Sequence, residues 1–262
     1  MTVQSFFDTI HGLPEEMEVA SAKPDYGIDA PGVIAILLLV GAALLLAGLL
    51  APVLVSFVPH FRIGSEKVLF PWRGFLFPGV FCFGEGLLMI YYSKRAKFRL
   101  RDRMLNMLPW KGLERVLDVG TGRGLLMIGA AKRLTQGRAT GIDIWSSKDL
   151  SGNSMENTRR NAELEGVRER VEVLDGDATA MKFADATFDV IVSNACLHNI
   201  PSQKGREQAC REIIRVLKPG GTALVCDFIR TGEYLRAFRA AGANAKVRDR
   251  FMLAMRIIEA RK

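Results

Sequence analysis

The chain has 262 residues, 49% of them hydrophobic and 24% charged, and a formal net charge of +8. The chain shows no internal repeat and no low-complexity linker. Four cysteines, at positions 82, 196, 210 and 226, show neither metal-ligand spacing nor a disulfide framework, as expected in a reducing compartment.

Residues 1–30 form an acidic N-terminal segment with six acids and one base, Lys23. An acidic start and a late apolar run do not match a cleavable signal peptide. From Val33 to Val58 no charged residue occurs across 26 positions. As a helix this stretch reaches about 39 Å, more than the roughly 30 Å hydrocarbon core of a bilayer. The pattern predicts a transmembrane helix bounded by Pro31 and His60. A second apolar stretch, Val68 to Tyr92, contains Pro71, Arg73, Pro78 and Glu85. From Gly74 to Tyr92 it is long enough to span, with Tyr91 and Tyr92 as an interfacial anchor; a re-entrant or interfacial segment is the alternative. An ionisable group inside a span is costly. Glu85 is either a carboxylate tolerated near the interface or the lining of an opening for a lipophilic acceptor.

Residues 31–93 are thus expected to form a two-span anchor. Six bases and one acid lie between Lys94 and Arg103, whereas the loop 59–67 has only Arg62 and Lys67 as bases. The positive-inside rule then places residue 94 onward, and the N-terminus, on the cytoplasmic side. Residues 1–93 carry four bases and eight acids, net −4, which leaves +12 on the remainder. An anionic leaflet is a simpler target for that charge than nucleic acid, at about 1 kcal/mol per basic group. Residues 94–112 read as a basic juxtamembrane helix, with Phe98, Leu100, Met104, Leu105, Met107 and Leu108 turned toward a folded domain at 113–262.

That domain opens with Val116-Leu117-Asp118-Val119-Gly120-Thr121-Gly122-Arg123-Gly124, a buried strand breaking into a glycine-rich turn before the helical pattern Leu125–Leu134. Glycines permit left-handed backbone and close approach of a ligand, and a helix start offers free N–H groups. The spacing is G-x-G-x-G followed by Leu125, so the dinucleotide fingerprint G-x-G-x-x-G is not met. Asp118 would repel a pyrophosphate and suits a cationic, amino-acid-like ligand. A second strand, Thr140–Trp145, places Asp143 23 residues beyond Gly120, a spacing at which an acid can hold two ribose hydroxyls. Val171–Ala178 is a third strand ending in carboxylates, and Phe188–Asn194 a fourth. Arg215–Gly221 is expected to close a helix before a fifth strand, Thr222–Phe228.

In the order and spacing of these parts, residues 98–262 resemble the class I S-adenosylmethionine-dependent methyltransferases, nearest the broad small-molecule type 11 group. The resemblance implies a Rossmann-like α/β sheet of seven strands. Five are parallel, and a final antiparallel pair comes from about Ala245–Met252 and Ala254–Ala260, after a helix at Tyr234–Ala241. It implies S-adenosyl-L-methionine as cofactor. Asp118 and the backbone of Gly120, Thr121 and Gly122 would hold its methionine moiety, and Asp143 its ribose. Ile144 and Trp145 would flank the adenine, Asp177 and Ala178 would meet its edge, and Asn194 would face the sulfonium. Asp118 can also be a buried acid holding loop amides. Asp143 and Asp177 can instead be loop carboxylates capping a helix or paired at the surface.

The loop from Ser146 to Ser154 is longer than such proteins usually have. It is either a plain loop with a helix cap at Ser154 or a flap in which Ser151 and Asn153 fold over the nucleoside or the substrate. The segment Ser193–Pro201 lacks the motifs for methylating nucleobase or glutamine amino groups and has no Pro-Cys nucleophile. Cys196 reads as a small buried residue. His198 is the only histidine after residue 93 and the candidate catalytic base, although a bracing role for its loop is the alternative. No metal site is expected. These readings converge on a membrane-anchored methyltransferase of a lipophilic small molecule. A soluble or protein acceptor, and a non-catalytic cofactor sensor, are the competing readings.

Overall fold

The computed structural model describes residues 23–57, 62–63, 66–67, 72–252 and 254–262; the expectations for residues 1–22 lie outside them. Residues fall into two compact units. One comprises Leu100–Ser146 and Gly152–Lys262 together with the N-terminal residues up to Tyr26; the other comprises Gly27–Arg99 and Ser147–Ser151.

The first unit is built on a seven-stranded sheet: β1 (Arg115–Val119), β2 (Arg138–Asp143), β3 (Val171–Asp175), β4 (Phe188–Asn194), β5 (Leu217–Asp227), β6 (Asn244–Phe251) and β7 (Met255–Arg261). The strand order is β3-β2-β1-β4-β5-β7-β6. Only β7 runs against the rest, pairing antiparallel with both β5 and β6. Val116, Leu117 and Val119 of β1 are fully buried, as a central strand covered on both faces requires. The covering helices are α4 (Leu125–Ala131), α5 (Met155–Leu164), α6 (Gln203–Val216) and α7 (Thr231–Ala240). Helix α6 buries Ala209, Cys210, Ile213, Ile214 and Val216 on one side. The Ser154 hydroxyl caps α5 by accepting from the Asn157 N–H at 3.2 Å, as its position before the helix predicts.

Two boundaries differ from expectation. The residues Leu217–Gly221 belong to β5 rather than to a helix end, because α6 already stops at Val216. Strand β2 ends at Asp143, so Ile144 and Trp145 leave the sheet, Trp145 with φ of 61°.

The second unit holds α1 (Pro31–Phe57) and α2 (Leu76–Tyr91). A π-helical turn at Tyr92–Ala96 leads into α3 (Lys97–Leu105), which enters the first unit at Leu100. The α1–α2 contact is made by glycines. A side chain on Gly41 would meet Phe83 at 2.5 Å and one on Gly48 would meet Leu76; one on Gly79 would meet Leu45 and one on Gly86 Leu38. Small residues that let apolar helices approach closely are the usual means of packing where no water drives association. The outer side of α1 is apolar and open, with Leu39 71% exposed.

Ahead of α1, the Lys97 ammonium is buried and donates to the Gly27 carbonyl at 2.8 Å and to Asp29 at 3.0 Å, and Ser93 Oγ accepts from the Asp29 N–H. Residues 28–30 also pair with the loop after β2. Ala30 N–H donates to Asp149 O, Ser151 N–H to Ile28 O, and Ile28 N–H to Ser151 Oγ at 2.7 Å.

Candidate active site

Strands β1 to β5 end along one edge, and the order reverses between β1 and β4. In open α/β sheets, ligands bind at such a switch point outside the carboxyl ends. Gly120, Gly122 and Gly124 all have positive φ (71°, 55° and 86°), which keeps the turn after β1 tight. Gly120 has a second requirement: a Cβ there would lie 2.1 Å from Cys196 Sγ.

The turn spends its amides internally. Gly120 and Thr121 N–H both donate to the Ile142 carbonyl (2.9 and 3.0 Å), and Gly122 N–H donates to Asp143 Oδ2 at 2.8 Å. These three N–H groups are thus engaged within the fold. What remains is the Gly120 carbonyl, which accepts no hydrogen bond among the described residues. An acceptor beside an acid suits an ammonium group, not a phosphate.

Asp118 is fully buried and turned into the loop, accepting from Thr121 Oγ1 at 2.9 Å and from Met127 N–H at 2.8 Å. Burial pushes its carboxyl up to about 7, against these two hydrogen bonds. It is thus the acid that holds the loop, and its charge can still serve a cationic ligand. Asp143 Oδ1 accepts from Trp145 N–H at 2.7 Å and from Asn153 Nδ2 at 3.2 Å. Oδ2, which accepts only from the Gly122 N–H, keeps room for a further donor such as a ribose hydroxyl. Asn153 Oδ1 is buried with no partner among the described residues. A buried acceptor left unpaired beside the ribose acid fits a hydroxyl donor of the nucleoside. Ser151 Oγ accepts from the Ile28 N–H at 2.7 Å.

Ile144 is 72% exposed, an apolar surface of the kind a purine covers. The indole Nε1 of Trp145 donates to Asp175, which fixes the ring at the end of β3. Asp177 Oδ1 holds a local turn, accepting from the N–H (2.7 Å) and hydroxyl (2.8 Å) of Thr179, and Ala178 lies within that turn. Asn194 ends β4 half-buried, next to Ser193, whose hydroxyl donates to Val119 O across the switch point at 2.8 Å.

On the far side of β4, His198 sits in a 3-10 turn with Nδ1 3.0 Å from Asp227 Oδ1 and its N–H 3.2 Å from Oδ2. Asp227, the last residue of β5, is wholly buried and also accepts from the Phe228 N–H (2.8 Å) and the Tyr234 hydroxyl (3.2 Å). The sequence reading missed Asp227 and Tyr234. Their signal was present, because Asp227 is another acid at a strand end, but flanking Cys226 and Phe228 read as strand interior. Cys196 is half-buried, and desolvation pushes its thiol up, which disfavours a nucleophilic thiolate. No cluster of potential metal ligands occurs among the described residues. A cleft of about 340 Å³ lined by Trp110, Glu114, Asp189 and Lys218 lies where the strands begin, and gathers none of these groups.

Residues 116–221 match the family described as "Methyltransferase domain". The ubiquinone/menaquinone biosynthesis C-methyltransferase UbiE of Roseobacter denitrificans is 31% identical over 128 residues, 49% of this chain and 48% of that protein. The 27-O-demethylrifamycin SV methyltransferase of Amycolatopsis mediterranei is 34% identical over 136 residues, 52% of this chain and 46% of that one. The chain spans about half the length of the curated relatives it matches. A solved S-adenosylmethionine-dependent methyltransferase from Aquifex aeolicus shares the fold, with a TM-score of 0.52 at 18% identity over 63% of this chain and 96% of that one. Residues 116–221 are thus similar to a methyltransferase domain, and the fold around them is shared with the solved S-adenosylmethionine-dependent enzyme.

Proposed function

We propose that the whole chain is a membrane-anchored methyltransferase that transfers the methyl group of S-adenosylmethionine to a lipophilic small molecule reached from the bilayer. The observation that carries the reading is the pairing, in one chain, of the strand-end cofactor edge with a 27-residue uncharged helix whose apolar side chains stay open. A buried core helix would hide such a surface, whereas only 17% of the most apolar window of α1 is buried. A signal-peptide apolar region is shorter, at about 7–15 residues. The basic run Lys94–Arg103 favours the cytoplasmic face for the catalytic domain.

At the site, the cofactor supplies an electrophilic methyl group on a sulfonium. The chain's part is to grip and to exclude water. The Gly120 carbonyl and Asp118 suit the amino-acid end, Asp143 and Asn153 the ribose, and Ile144 with Trp145 the adenine. Asp177, Ala178 and Asn194 are the proposed groups at the adenine edge and the sulfonium side. Positioning supplies most of the rate in such a displacement. The names of the relatives divide between carbon and oxygen acceptors, so they leave the methylated atom open. A soluble or membrane-protein acceptor, with the anchor serving only location, is the second reading.

Calorimetric titration of the detergent-solubilised chain with S-adenosylhomocysteine, with Asp143→Ala alongside, tests the cofactor site. Micromolar binding lost in the variant is the expected result; no binding by folded wild type sinks the proposal. Alkaline carbonate washing of membranes tests the anchor, since release of the chain into the wash refutes integral insertion.

A further inference from the structure

Asp227 gathers only donors. The N–H groups of His198 and Phe228, the Tyr234 hydroxyl and the His198 ring converge on its two oxygens at 2.8–3.2 Å. Tyr234 is buried, and burial next to Asp227 pushes its phenol up, so it stays protonated and donates. A carboxylate with four such neighbours has one use for an imidazole nitrogen 3.0 Å away: to accept its proton. That fixes the tautomer. Nδ1 carries the hydrogen and Nε2 carries the lone pair. Nε2 has no hydrogen bond among the described residues, and the side chain is 16% exposed. The Phe228 ring packs edge-on to the imidazole at 4.6 Å between centroids and limits its rotation.

Resting on the functional reading above, we propose that Asp227, supported by Tyr234, is a positioning residue that presents His198 Nε2 as the base for an acceptor bearing an ionisable O–H, such as a phenol. The O–H proton passes to Nε2 and its bonding pair stays on oxygen, which would bond to the methyl carbon as the carbon–sulfur bond breaks, its electron pair leaving with S-adenosylhomocysteine. The imidazolium formed is held by Asp227 and releases its proton to solvent after transfer. A carboxylate that orients a histidine and stabilises its charged form is a device found on unrelated folds. The titratable and charged groups around it are Asp227 from β5, Tyr234 from α7, Cys196 two residues earlier, and Arg206 and Cys210 from α6, which act on Tyr234.

The test uses the full chain in detergent with 15N-labelled histidine. It has three histidines in all, and a His198→Gln spectrum identifies the signal of interest. Wild type at pH 8 is expected to show a protonated Nδ1 and a bare Nε2, and Asp227→Asn to lose that preference. A wild-type spectrum dominated by the other tautomer, or one unchanged in Asp227→Asn, overturns the proposal, and the wild-type measurement stands even where the variant fails to fold. In parallel, tritiated S-adenosylmethionine and para-decylphenol are expected to give a labelled ether, about a hundredfold less in His198→Gln. Equal labelling by both proteins, or none by wild type that binds S-adenosylhomocysteine, overturns it. Absence of S-adenosylhomocysteine binding instead overturns the functional reading on which it rests.

Discussion

Gly120 and Cys196 compete for one volume: the side chain that Gly120 lacks would overlap the Cys196 sulfur at 2.1 Å and its Cβ at 2.5 Å. The first turn of the cofactor loop and the first residues after β4 are therefore fitted to each other.

Gly120→Ala is accordingly expected to lose S-adenosylhomocysteine binding and about 2–4 kcal/mol of stability, from left-handed strain plus overpacking. Cys196→Gly in the same chain should recover part of the loss. Thermal unfolding and calorimetry on the single and double variants decide it. A single variant that binds like wild type removes the claimed fit.

Asp118 predicts a pH dependence. Its carboxyl sits at about 7 in the folded chain against an ordinary value of 3.8, chiefly through burial. Between those values the folded state keeps a proton that the unfolded state has released. Stability from this site therefore falls as pH rises through that window and levels off above it. Asp118→Asn cannot ionise, so its unfolding temperature should decline less than that of wild type between pH 5 and pH 8, by an amount equivalent to a few kcal/mol. Parallel curves for the two proteins would contradict this.

The helical hairpin makes a contrast between neighbouring glycines. Gly41 and Gly79 face the partner helix at 2.5 and 2.9 Å, whereas nothing lies within 4 Å of a side chain on Gly84. Gly41→Leu and Gly79→Leu should separate α1 from α2 and cost about 1–3 kcal/mol or more, while Gly84→Ala should be neutral. Proteolysis of detergent-solubilised protein reads the difference. Equal resistance in all three variants would mean that the glycines do not set the contact.

Asn161 ties the N-terminal residues to the cofactor loop. Its side chain accepts from Asp25 N–H at 2.9 Å and donates to the carbonyls of Asp25 (2.8 Å) and Arg123 (2.9 Å). Asn161→Ala should cost about 1–3 kcal/mol and speed hydrogen exchange at Asp25 and Tyr26. Asp25→Asn weakens an ion pair with Arg123 whose carboxylate is 66% exposed and should cost under about 1 kcal/mol. Exchange measured by mass spectrometry separates the two, and equal effects would refute the assignment.

Much of this was legible because strand-end acids and glycines obey local rules. Asp118, Gly120, Asp143 and Ser154 each announce a turn or a cap within a few residues of themselves. Other contacts that assemble the site come from farther along the chain. Gly120 meets Cys196, Asp143 meets Asn153 across a loop, and Asp227 meets His198 and Tyr234 from two other elements. The long loop after β2 was visible as an oddity. Its partner, residues 28–30 ahead of the first apolar helix, was not, since a pairing of so few residues leaves no periodicity to read.

That pairing bears on how the protein can be dissected. The stretch Ser147–Ser151 leaves the catalytic unit and returns to it within a few residues of the acid proposed to hold the ribose. A soluble fragment starting near Lys94 would strip the stitch of its other thread, stranding the backbone groups of Asp149 and Ser151 that Ala30 and Ile28 now satisfy. Weak cofactor binding by such a fragment would then report the severed seam, and an uncut chain is the fair object for enzymology.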